Sequence, residues 1–598
     1  MSTHSRVWKY FIKEKNGQAR CNICYKRYQH SGNTSNLRKH LKNAHNKDPS
    51  ASSAASSSVS GRSTPSSMPS LSTIDSIFQD VSSMQSGDKK EKITNAITIM
   101  IVKDNLPFDH VGGSGFELLM KELAPHYQVP NRKSIGRRID VLYDEMFQLK
   151  QAEVSALKNI SITFDLWKDT QNQVSYIGVT GHYIKDWKLN SVLLSCMNMA
   201  VRHTSANIIN SLNEVLESWK IEHNQVVACV TDNGANVKKA VCDLFGQARH
   251  IPCFAHTLNL LVKDAINRTG NFREVLQKVR TIVQYFKQSG PAADELRKVQ
   301  PMGRILKLKQ DVETRWNSSY LMLNRYIEIQ DSVNLALSHL IDAPSPITGA
   351  EREILEDSLK VLKPFYLITE EMSAEKVVTL SKAIPIRNIL TNKLKDIRLD
   401  TQVASFLKQQ LITGLDERFS NLESNTSAIV ASILDPRFKK FYVESLTSYP
   451  NAIVEIEKLL PSTSPPMIES IDDDSQDEDD VWTSHDRLAS TQHQADPESQ
   501  SINLSTKLKL YLDANLTNRK VNPLQTWSKI ESTFWEISQI APIYLCIPAT
   551  SVPSERLFSK AGSTLNEKRN RLKPETLNKI LFLNSLTIRE LRTILNKE

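Results

Sequence analysis

The sequence has few cysteines and no long hydrophobic run. Seven cysteines among 598 residues, an odd number, do not form a disulfide framework and are typical of reduced thiols inside a cell. No apolar stretch approaches the length of a membrane-spanning helix, and the first thirty residues are basic and polar. We therefore expect neither a membrane protein nor a secreted one. No internal repeat is visible.

Most of the chain also lacks net charge. The whole sequence is formally +9, and residues 1–50 hold eleven Lys or Arg against two acids. This short segment therefore carries the entire excess of positive charge, which is the electrostatic footprint of a nucleic-acid-binding module. With 40% hydrophobic and 24% charged residues, the whole chain has the composition of a soluble globular protein of several domains.

Changes in composition and periodicity predict the domain organisation. Short β-prone runs such as "NISITFDLW", "QVSYIGVTGHYI" and "LNSVLLSCMNM", followed by a helical pattern and the strand "NQVVACVTDNGAN", predict an α/β block. Two low-complexity segments, one Ser-rich and one acidic, predict flexible linkers. The predicted parts are a basic module (1–50), a Ser-rich linker (51–90), a helical region (91–158), the α/β block (159–290), a helical block (291–460), an acidic linker (461–503) and a helical C-terminal segment (504–598).

The basic module contains a metal-binding pattern. Its spacing is Cys21-x2-Cys24-x15-His40-x4-His45, which allows two thiolates on a turn and two imidazoles on a helix to surround Zn²⁺ as a tetrahedron. Four ligands at this spacing in a basic setting make a strong signal. The preceding "RVWKYF" makes the stretch similar to a BED-type zinc finger, a DNA-binding module. The basic residues expected to contact DNA from the helix are Arg38, Lys39 and Lys42.

Two acids follow apolar runs in the α/β block. We expect Asp165 and Asp232 each to lie where a buried strand ends, held rigidly beside a site. Two carboxylates a few ångströms apart repel each other unless cations lie between them, and two Mg²⁺ ions would resolve that repulsion. Each acid considered alone is also explained by an ordinary turn. Asp169, in "DLWKD", is an alternative to Asp165.

A third acid, Glu555, stands in "IPATSVPSERLFSKAG" near the C-terminus. One interpretation is local: Ser554 is the N-cap of a helix, and Glu555 interacts with the free N–H groups of its first turn. The other interpretation makes Glu555 a metal ligand that joins carboxylates from the distant strand block.

Six motifs in one order give the chain a family resemblance. "TFDLWKD", "VTDNGANV", "CFAHTLNL", "ETRWNSSY", "ASILDPRFKKF" and "IPATSVPSERLFSKAG" resemble those of hAT-superfamily transposases. The resemblance covers residues 5–45 and about 90–585. It implies a multidomain α/β protein: a zinc finger and a ribonuclease-H-like core that is interrupted by a large α-helical insertion and completed by a C-terminal dimerisation segment.

The resemblance also implies a catalytic site. Its acidic triad falls on Asp165, Asp232 and Glu555, with Mg²⁺ or Mn²⁺ as the metal. The implied chemistry is cleavage at transposon ends with hairpin formation on the flanking DNA, followed by strand transfer of the 3′-hydroxyl into target DNA.

Four further residues belong to the matched motifs. Trp316 has polar neighbours, so we expect a partly exposed ring, and the resemblance implies stacking on a displaced base; packing in a helical core is the alternative. Arg315 is a candidate phosphate contact. Cys253 and His256 are implied to support the active site, and a buried thiol with a hydrogen-bonded imidazole is the alternative.

The resulting expectation is a nuclear protein that binds double-stranded DNA and self-associates. The first hypothesis is an active DDE-type transposase. The second is a domesticated derivative without catalysis that acts as a transcription or chromatin factor, and a third is an adaptor whose core serves only as a protein-interaction platform.

Overall fold

The computed structural model describes residues 6–14, 18–24, 26–29, 34–45, 87–169, 173–301, 303–443, 447–461, 505–565 and 572–595. The chain divides into two compact units, Met1–Phe78 and Gln79–Glu598. The linkers predicted at 51–90 and 461–503 fall outside the described residues except for 87–90 and 461.

The first unit is a small sheet with one helix. Strands β1 (Phe11–Glu14), β2 (Gln18–Cys21) and β3 (Arg27–Gln29) form an antiparallel sheet in that order, and helix α1 (Ser35–His45) follows. Its described hydrophobic core consists of six buried residues: Val7, Phe11, Ala19, Cys21, Leu37 and Leu41. So small a core supplies little stability by itself.

The second unit is organised around a five-stranded mixed sheet. Its strands are β4 (Ile160–Asp169), β5 (Val174–Lys185), β6 (Lys188–Asn198), β7 (Val226–Thr231) and β8 (His250–Pro252). The spatial order is β6-β5-β4-β7-β8; the first three strands pair antiparallel, and β7 pairs parallel with both β4 and β8. The predicted α/β class is therefore confirmed. The short strand β8 has no counterpart in the sequence prediction.

A two-residue turn makes the β5–β6 hairpin. Asp186 and Trp187 have φ values of 50° and 53°, and two consecutive left-handed residues give the turn whose twist matches that of the flanking strands. Trp187 extends from this turn to stack on Trp527, with ring centroids 6.0 Å apart, and its indole N–H donates a hydrogen bond to Glu531. The hairpin tip is thereby fixed to the C-terminal segment.

Helices cover the sheet and form a separate block. The helices before the block, whose apolar side chains share one hydrophobic cluster with the sheet, are α2 (Asp88–Lys103), α3 (Ser114–Leu123), α4 (Arg132–Ser155), α5 (Ser205–Trp219) and α6 (Ala235–Phe245). The helices of the block are α7 (Phe254–Arg268), α8 (Gly270–Gln288), α9 (Gly290–Val299), α10 (Trp316–Glu328), α11 (Gln330–Ser338), α12 (Gly349–Met372), α13 (Ala383–Asp396), α14 (Gln402–Phe419), α15 (Thr426–Ile433) and α16 (Ser448–Leu459).

The helical block begins earlier in the chain than the sequence suggested. Helices α7 and α8 were assigned to the α/β part, 159–290, but their apolar faces belong to the same hydrophobic cluster as α10, α12 and α14. Phe254, for example, packs against Phe419 with ring centroids 4.7 Å apart. Periodicity predicted a helix at "TLNLLVKDAINR", within α7, but it does not tell which neighbours a helical face will contact.

The C-terminal segment runs across the whole unit. It contains α17 (Thr506–Asp513), α18 (Pro523–Ile530), α19 (Trp535–Leu545), α20 (Val552–Thr564), α21 (Pro574–Ser585) and α22 (Ile588–Leu595). Its first part packs with α15 and with one face of the sheet, whereas α20 and α21 join the cluster formed by the sheet and the first helices. No helix in the described part of the chain is long and apolar enough to cross a membrane.

A buried ionic cluster fixes the C-terminal segment to the helical block. Arg437 donates two side-chain hydrogen bonds to Asp435, and the hydroxyl of Ser381 donates a third. The ammonium of Lys439 donates to the carbonyls of Tyr511 and Ala514 at the end of α17, and burial lowers the pKa of Lys439 to about 8. All these charges come from the "DPRFKK" motif, which therefore has a structural role.

Removing Asp435 tests this cluster. Asp435 and Arg437 have side chains 0% and 4% exposed, so Asp435→Ala leaves a buried guanidinium without its partner. We expect a loss of roughly 3–5 kcal/mol in the free energy of unfolding, measured by chemical denaturation. The control is Asp294→Ala, which breaks an ion pair with Arg297 that is more than half exposed and should change stability by about 0.5 kcal/mol or less. Equal effects of the two variants would contradict a buried ionic cluster.

Candidate functional site

Four side chains of the finger converge as metal ligands. The ligand atoms of Cys21, Cys24, His40 and His45 all lie within 4.8 Å of one another. Cys21 Sγ is 3.5 Å from His45 Nε2, Cys24 Sγ is 3.3 Å from His40 Nε2, and the two Nε2 atoms are 3.1 Å apart. Usual zinc–sulfur and zinc–nitrogen bond lengths give tetrahedral edges of roughly 3.3–3.6 Å. The set therefore fits Zn²⁺.

Local structure positions these ligands. The cysteines flank the turn after β2, where the N–H of Ile23 donates to Cys21 Sγ at 3.4 Å, while both histidines lie on α1. Burial, then the nearby charges of His45 and Lys26, lower the pKa of His40, which favours the neutral imidazole that binds a metal. Arg38, Lys39 and Lys42 are exposed on the same helix, away from the buried Leu37 and Leu41.

In the second unit, a cleft of about 700 Å³ opens between the sheet, the helical block and the C-terminal segment. Asp165 contributes from β4, Asp232 from the end of β7 and Glu555 from α20. The other residues of the cleft that had been singled out from the sequence are His256, Arg315 and Trp316.

Asp165 lies in the middle of a strand and not at its end, so that expectation was wrong. The antiparallel ladder with β5 continues through Asp165↔Gly178 to Asp169↔Val174, whereas the parallel ladder with β7 stops at Thr163↔Val230. At Asp165, therefore, strand β4 is still paired with β5 on one side but no longer paired with β7 on the other. Asp169, the alternative acid, is buried and does not line this cleft.

Asp232 follows the last residue of β7 directly. Its Oδ1 accepts a hydrogen bond from the N–H of Gly234 at 3.1 Å, a turn that holds the carboxylate at the carboxyl end of the strand. Thr231, the preceding residue, bonds to His250 of β8 at 3.0 Å, and burial lowers the pKa of His250 to about 4.

Helix α20 brings Glu555 to these strands because a glycine lets it approach. A Cβ atom at Gly178 would lie 2.8 Å from the ring of Phe558 and 2.9 Å from the side chain of Leu557. Phe558 also stacks on Trp167, two residues after Asp165, with centroids 5.8 Å apart. Glu555 is one helical turn before Phe558, and both line the cleft.

The capping interpretation of this segment needs one correction. Ser551 occupies the N-cap position of α20 without a side-chain capping hydrogen bond, and Ser554 lies inside the helix, buried and hydrogen-bonded to Thr163 at 2.7 Å. Pro553, which occupies the first turn, explains the earlier start because its ring fixes φ for a helix and its missing N–H is not needed there. Glu555 nevertheless remains a first-turn acid.

The electrostatics of the cleft favour a cation. Burial, together with the charges of Asp232 and Glu555, raises the pKa of Asp165 to about 7, against a hydrogen bond from the N–H of Leu166. A hard divalent cation bound among the three carboxylates would stabilise their charged forms, so this set of oxygen donors fits such a cation.

In the described structure the three carboxylates do not form a group of ligand atoms close enough to count as a site for one ion. Among the residues that the structure describes, only the finger has a group of three or more such ligand atoms packed within 4.8 Å of one another. A two-metal site, with ions about 3.5–4 Å apart, needs such a wider arrangement.

Trp316 is buried, in contrast to the partly exposed ring expected from its polar neighbours. Its side chain is 3% exposed and packs edge-on against Phe365, with centroids 6.5 Å apart. As the first residue of an amphipathic helix it faces the helical core, although one edge reaches the cleft. Its indole N–H is buried without an acceptor in the described structure. Arg315, beside it, is exposed.

Asn259 is a cleft residue that sequence reasoning missed. Its side-chain oxygen accepts from the N–H of Trp316 at 3.1 Å, and its amide donates to the carbonyl of Thr314 at 3.3 Å. It thus caps α10 from a different helix. The motif "CFAHTLNL" contains Asn259, but a cap supplied from 57 residues away leaves no local signal.

His256 lines the cleft, whereas Cys253 does not. Cys253 is fully buried, and its Sγ accepts from the N–H groups of Ser551 at 3.3 Å and His256 at 3.4 Å. Burial raises the pKa of this thiol. Cys253 therefore joins the start of α7 to the start of α20 as a neutral acceptor.

Comparison with known proteins gives matches along most of the chain. Family models match as BED zinc finger (residues 5–46), ZBED1 RNase-like domain (163–250), ZBED1 RNase-like helical domain (251–358) and hAT family C-terminal dimerisation region (507–586). These matches support a BED-type hAT-transposase-like protein. The expected family resemblance and fold class are thereby confirmed. The match to the ZBED1 RNase-like helical domain starts at residue 251, close to Phe254, the first residue of the hydrophobic cluster of the helical block.

Relatives of this transposase-like protein include both transposases and other BED proteins. Human zinc finger BED domain-containing protein 4 is 27% identical over 82% of this chain and 43% of its own length. A putative AC transposase of Zea mays is 26% identical over 81% and 63%, and the putative transcriptional regulator tpeD of Talaromyces stipitatus is 25% identical over 86% and 64%. The chain thus spans between about two fifths and two thirds of the length of these relatives.

Zinc dependence of the finger can be measured in the full chain. Because the finger has so few buried residues, chelation or Cys24→Ser should unfold it, and amide exchange in residues 18–45 should become fast while exchange in β4 stays unchanged. The control is Cys242→Ser, which replaces another half-buried free cysteine outside the finger. Slow exchange in residues 18–45 after complete zinc removal would contradict a structural metal.

Proposed function

We propose that this chain is a nuclear DNA-binding protein of hAT transposase type whose cleft cleaves DNA at transposon ends and transfers the 3′-hydroxyl strand into target DNA. The observation that carries the proposal is the convergence of Asp165, Asp232 and Glu555 on one cleft from three separated parts of the chain. A fold that needed only a capped helix at residue 552 would have no reason to bury Asp165 beside two other acids.

The residues of the cleft have separable roles. Asp165, Asp232 and Glu555 would hold Mg²⁺ or Mn²⁺, and the chemistry that such an ion would supply is activation of the attacking water or hydroxyl and stabilisation of the leaving oxygen. Arg315, exposed at the cleft and without an ion-pair partner in the described structure, contacts a DNA phosphate. His256 lies on the same wall and orients the phosphate or a carboxylate.

Trp316 acts at the edge of the cleft. Its ring separates the cleft from a second pocket of about 310 Å³ on the far side, which it also lines. The edge of the ring that reaches the cleft offers an aromatic contact for a displaced base, and Asn259 holds the backbone of Trp316 in place. Packing in the helical core and contact with DNA are thus compatible roles.

The finger supplies recognition. Zn²⁺ holds α1, and Arg38, Lys39 and Lys42 present positive charge on its exposed face to double-stranded DNA. The matched dimerisation region supports self-association of the chain. Two copies would place two fingers and two clefts on the paired ends of one DNA element.

A second candidate is a domesticated DNA-binding factor without catalysis. The relative named as a putative transcriptional regulator supports it. The two candidates predict the same finger and the same self-association, and they differ only in whether the cleft cleaves DNA.

Replacing Glu555 separates these candidates. Glu555→Gln keeps the shape of the side chain but removes its charge, so we expect loss of strand cleavage by about a hundredfold or more with unchanged thermal unfolding. The assay uses the full chain, a labelled inverted-repeat duplex and Mg²⁺ or Mn²⁺. The matched control is Glu575→Gln, which changes another first-turn Glu of a helix that begins with Pro and should leave cleavage intact.

The outcomes of this assay are distinct. Cleavage that survives Glu555→Gln would contradict the triad. Wild-type protein that binds the duplex specifically but never cleaves it would favour the domesticated factor.

DNA binding by the finger should depend steeply on salt. Arg38→Ala or Lys39→Ala should each weaken binding and lower the slope of log affinity against log salt by about one when the lost contact is a phosphate. Fluorescence anisotropy with a duplex over a series of salt concentrations measures both. Asn43→Ala, exposed on the same helix, is the neutral control. Unchanged affinity in both charge variants would move recognition away from α1.

A further inference from the structure

A buried chain of polar side chains connects the centre of the sheet to helix α20. Ser554 Oγ is 2.7 Å from Thr163 Oγ1, Thr163 Oγ1 is 2.6 Å from Thr180 Oγ1, and Thr180 Oγ1 is 2.9 Å from His182 Nε2. Ser554 and Thr163 are 0% exposed, and Thr180 and His182 are 7% and 5% exposed. Polar groups buried so completely are costly unless every one is satisfied.

The hydrogen bonds among these four side chains use every hydroxyl hydrogen in only one donor-to-acceptor direction. Each hydroxyl has one hydrogen to donate, and Thr163 is the only hydrogen-bond partner of Ser554 Oγ that the described structure shows. If Ser554 donates to Thr163, Thr163 to Thr180 and Thr180 to the lone pair of His182 Nε2, every hydroxyl is used. The reverse direction leaves the Ser554 hydrogen without an acceptor. Burial lowers the pKa of His182 to about 4, so the ring is neutral, and its tautomer protonated at Nδ1 has the accepting lone pair on Nε2.

These hydrogen-bonded side chains lie close in sequence to two of the acids that line the cleft. Thr163 precedes Asp165 by two residues on β4, so both side chains point to the same face of the sheet. Ser554 directly precedes Glu555 in α20. The Thr163–Ser554 hydrogen bond, which spans 391 residues of sequence, therefore joins the residue two positions before Asp165 to the residue directly before Glu555.

Apolar packing alone does not set the position of Glu555. Leu557 and Phe558 press α20 against Gly178 and Trp167, but such contacts are non-directional and tolerate small shifts of a helix. A buried hydrogen bond has a narrow range of distance and angle, and breaking it leaves an unsatisfied hydroxyl. It can therefore select one rotation of α20 about its axis.

We propose that the hydroxyls of Thr163 and Ser554 are positioning groups that set the Glu555 carboxylate opposite Asp165 and Asp232, with Thr180 and His182 as the anchor of the chain. The proposal rests on the proposed metal-binding function of the cleft. Neither hydroxyl touches metal or DNA in this role. They act through the placement of α20.

Two substitutions at one position distinguish positioning from packing. Thr163→Val keeps the shape and removes the hydroxyl, whereas Thr163→Ser keeps the hydroxyl and removes a methyl group. If Thr163 contributes only by packing, Thr163→Val should stay closer to wild type than Thr163→Ser, because Ser leaves a cavity. If its hydroxyl positions α20, Thr163→Ser should stay closer to wild type than Thr163→Val. Ser161→Ala is the control, because Ser161 is buried on the same strand but its hydroxyl bonds to the carbonyl of Ala228 within the sheet.

The first measurement is Mn²⁺ binding to the full chain by electron paramagnetic resonance, with Glu555→Gln used to subtract sites outside the cleft. We expect Thr163→Val to weaken the Glu555-dependent affinity about tenfold or more, as for other groups that orient metal ligands. Thr163→Ser and Ser161→Ala should stay within about threefold of wild type. Ser554→Ala should match Thr163→Val, and the double variant should be no worse than either one.

The second measurement is amide exchange in α20, which needs no metal. Thr163→Val should speed exchange in residues 552–560 relative to β7, and Thr163→Ser should not. Wild-type affinity and exchange in Thr163→Val, or an equal loss in Thr163→Ser, would overturn the proposal. Absence of any Glu555-dependent Mn²⁺ binding in wild type would instead contradict the proposed function. The exchange result would still decide whether the Thr163 hydroxyl holds α20 in position on the sheet.

Discussion

The approach of α20 to the sheet is the contact on which the candidate active site depends. Gly178 pairs with Asp165 across the β4–β5 ladder, and the missing side chain at that position leaves space for Phe558 and Leu557. The same helix carries Glu555, so the glycine that admits the helix also brings the third carboxylate beside the first. Without this contact Asp165 and Asp232 would remain two acids at the edge of a sheet.

Other parts of the unit keep this helix in place from both sides. Before α20, Cys253 accepts the N–H of Ser551, and the buried cluster around Asp435 and Lys439 fixes the preceding part of the segment. After it, the ammonium of Lys103 donates to the carbonyls of Asn584 at 2.6 Å and Leu586 at 2.7 Å. The helical block is thus more than an insertion, because it supplies Arg315 and Trp316 to the cleft and also supports the C-terminal segment.

Local patterns in the sequence predicted the structural features that depend on residues close together along the chain. The four finger ligands could be predicted because their spacing is itself the signal, and four of the five strands of the large sheet could be predicted because each is a β-prone run; the short strand β8 was missed. What escaped prediction depends on distant contacts: the burial of Trp316, the place of Asp165 within its strand, the cap that Asn259 provides and the partner of Ser554. Polar neighbours in sequence say little about a ring that an amphipathic helix turns inward.

The central claim is that three carboxylates from distant parts of one chain hold divalent metal together. Diffraction from crystals of the protein soaked in Mn²⁺, with data collected at the manganese absorption edge, measures this directly. The account predicts anomalous peaks between Asp165, Asp232 and Glu555, with all three carboxylates within about 2.3 Å of a peak. A cleft without an anomalous peak at saturating Mn²⁺, or a peak coordinated by Asp165 and Asp232 with Glu555 turned away, would contradict it.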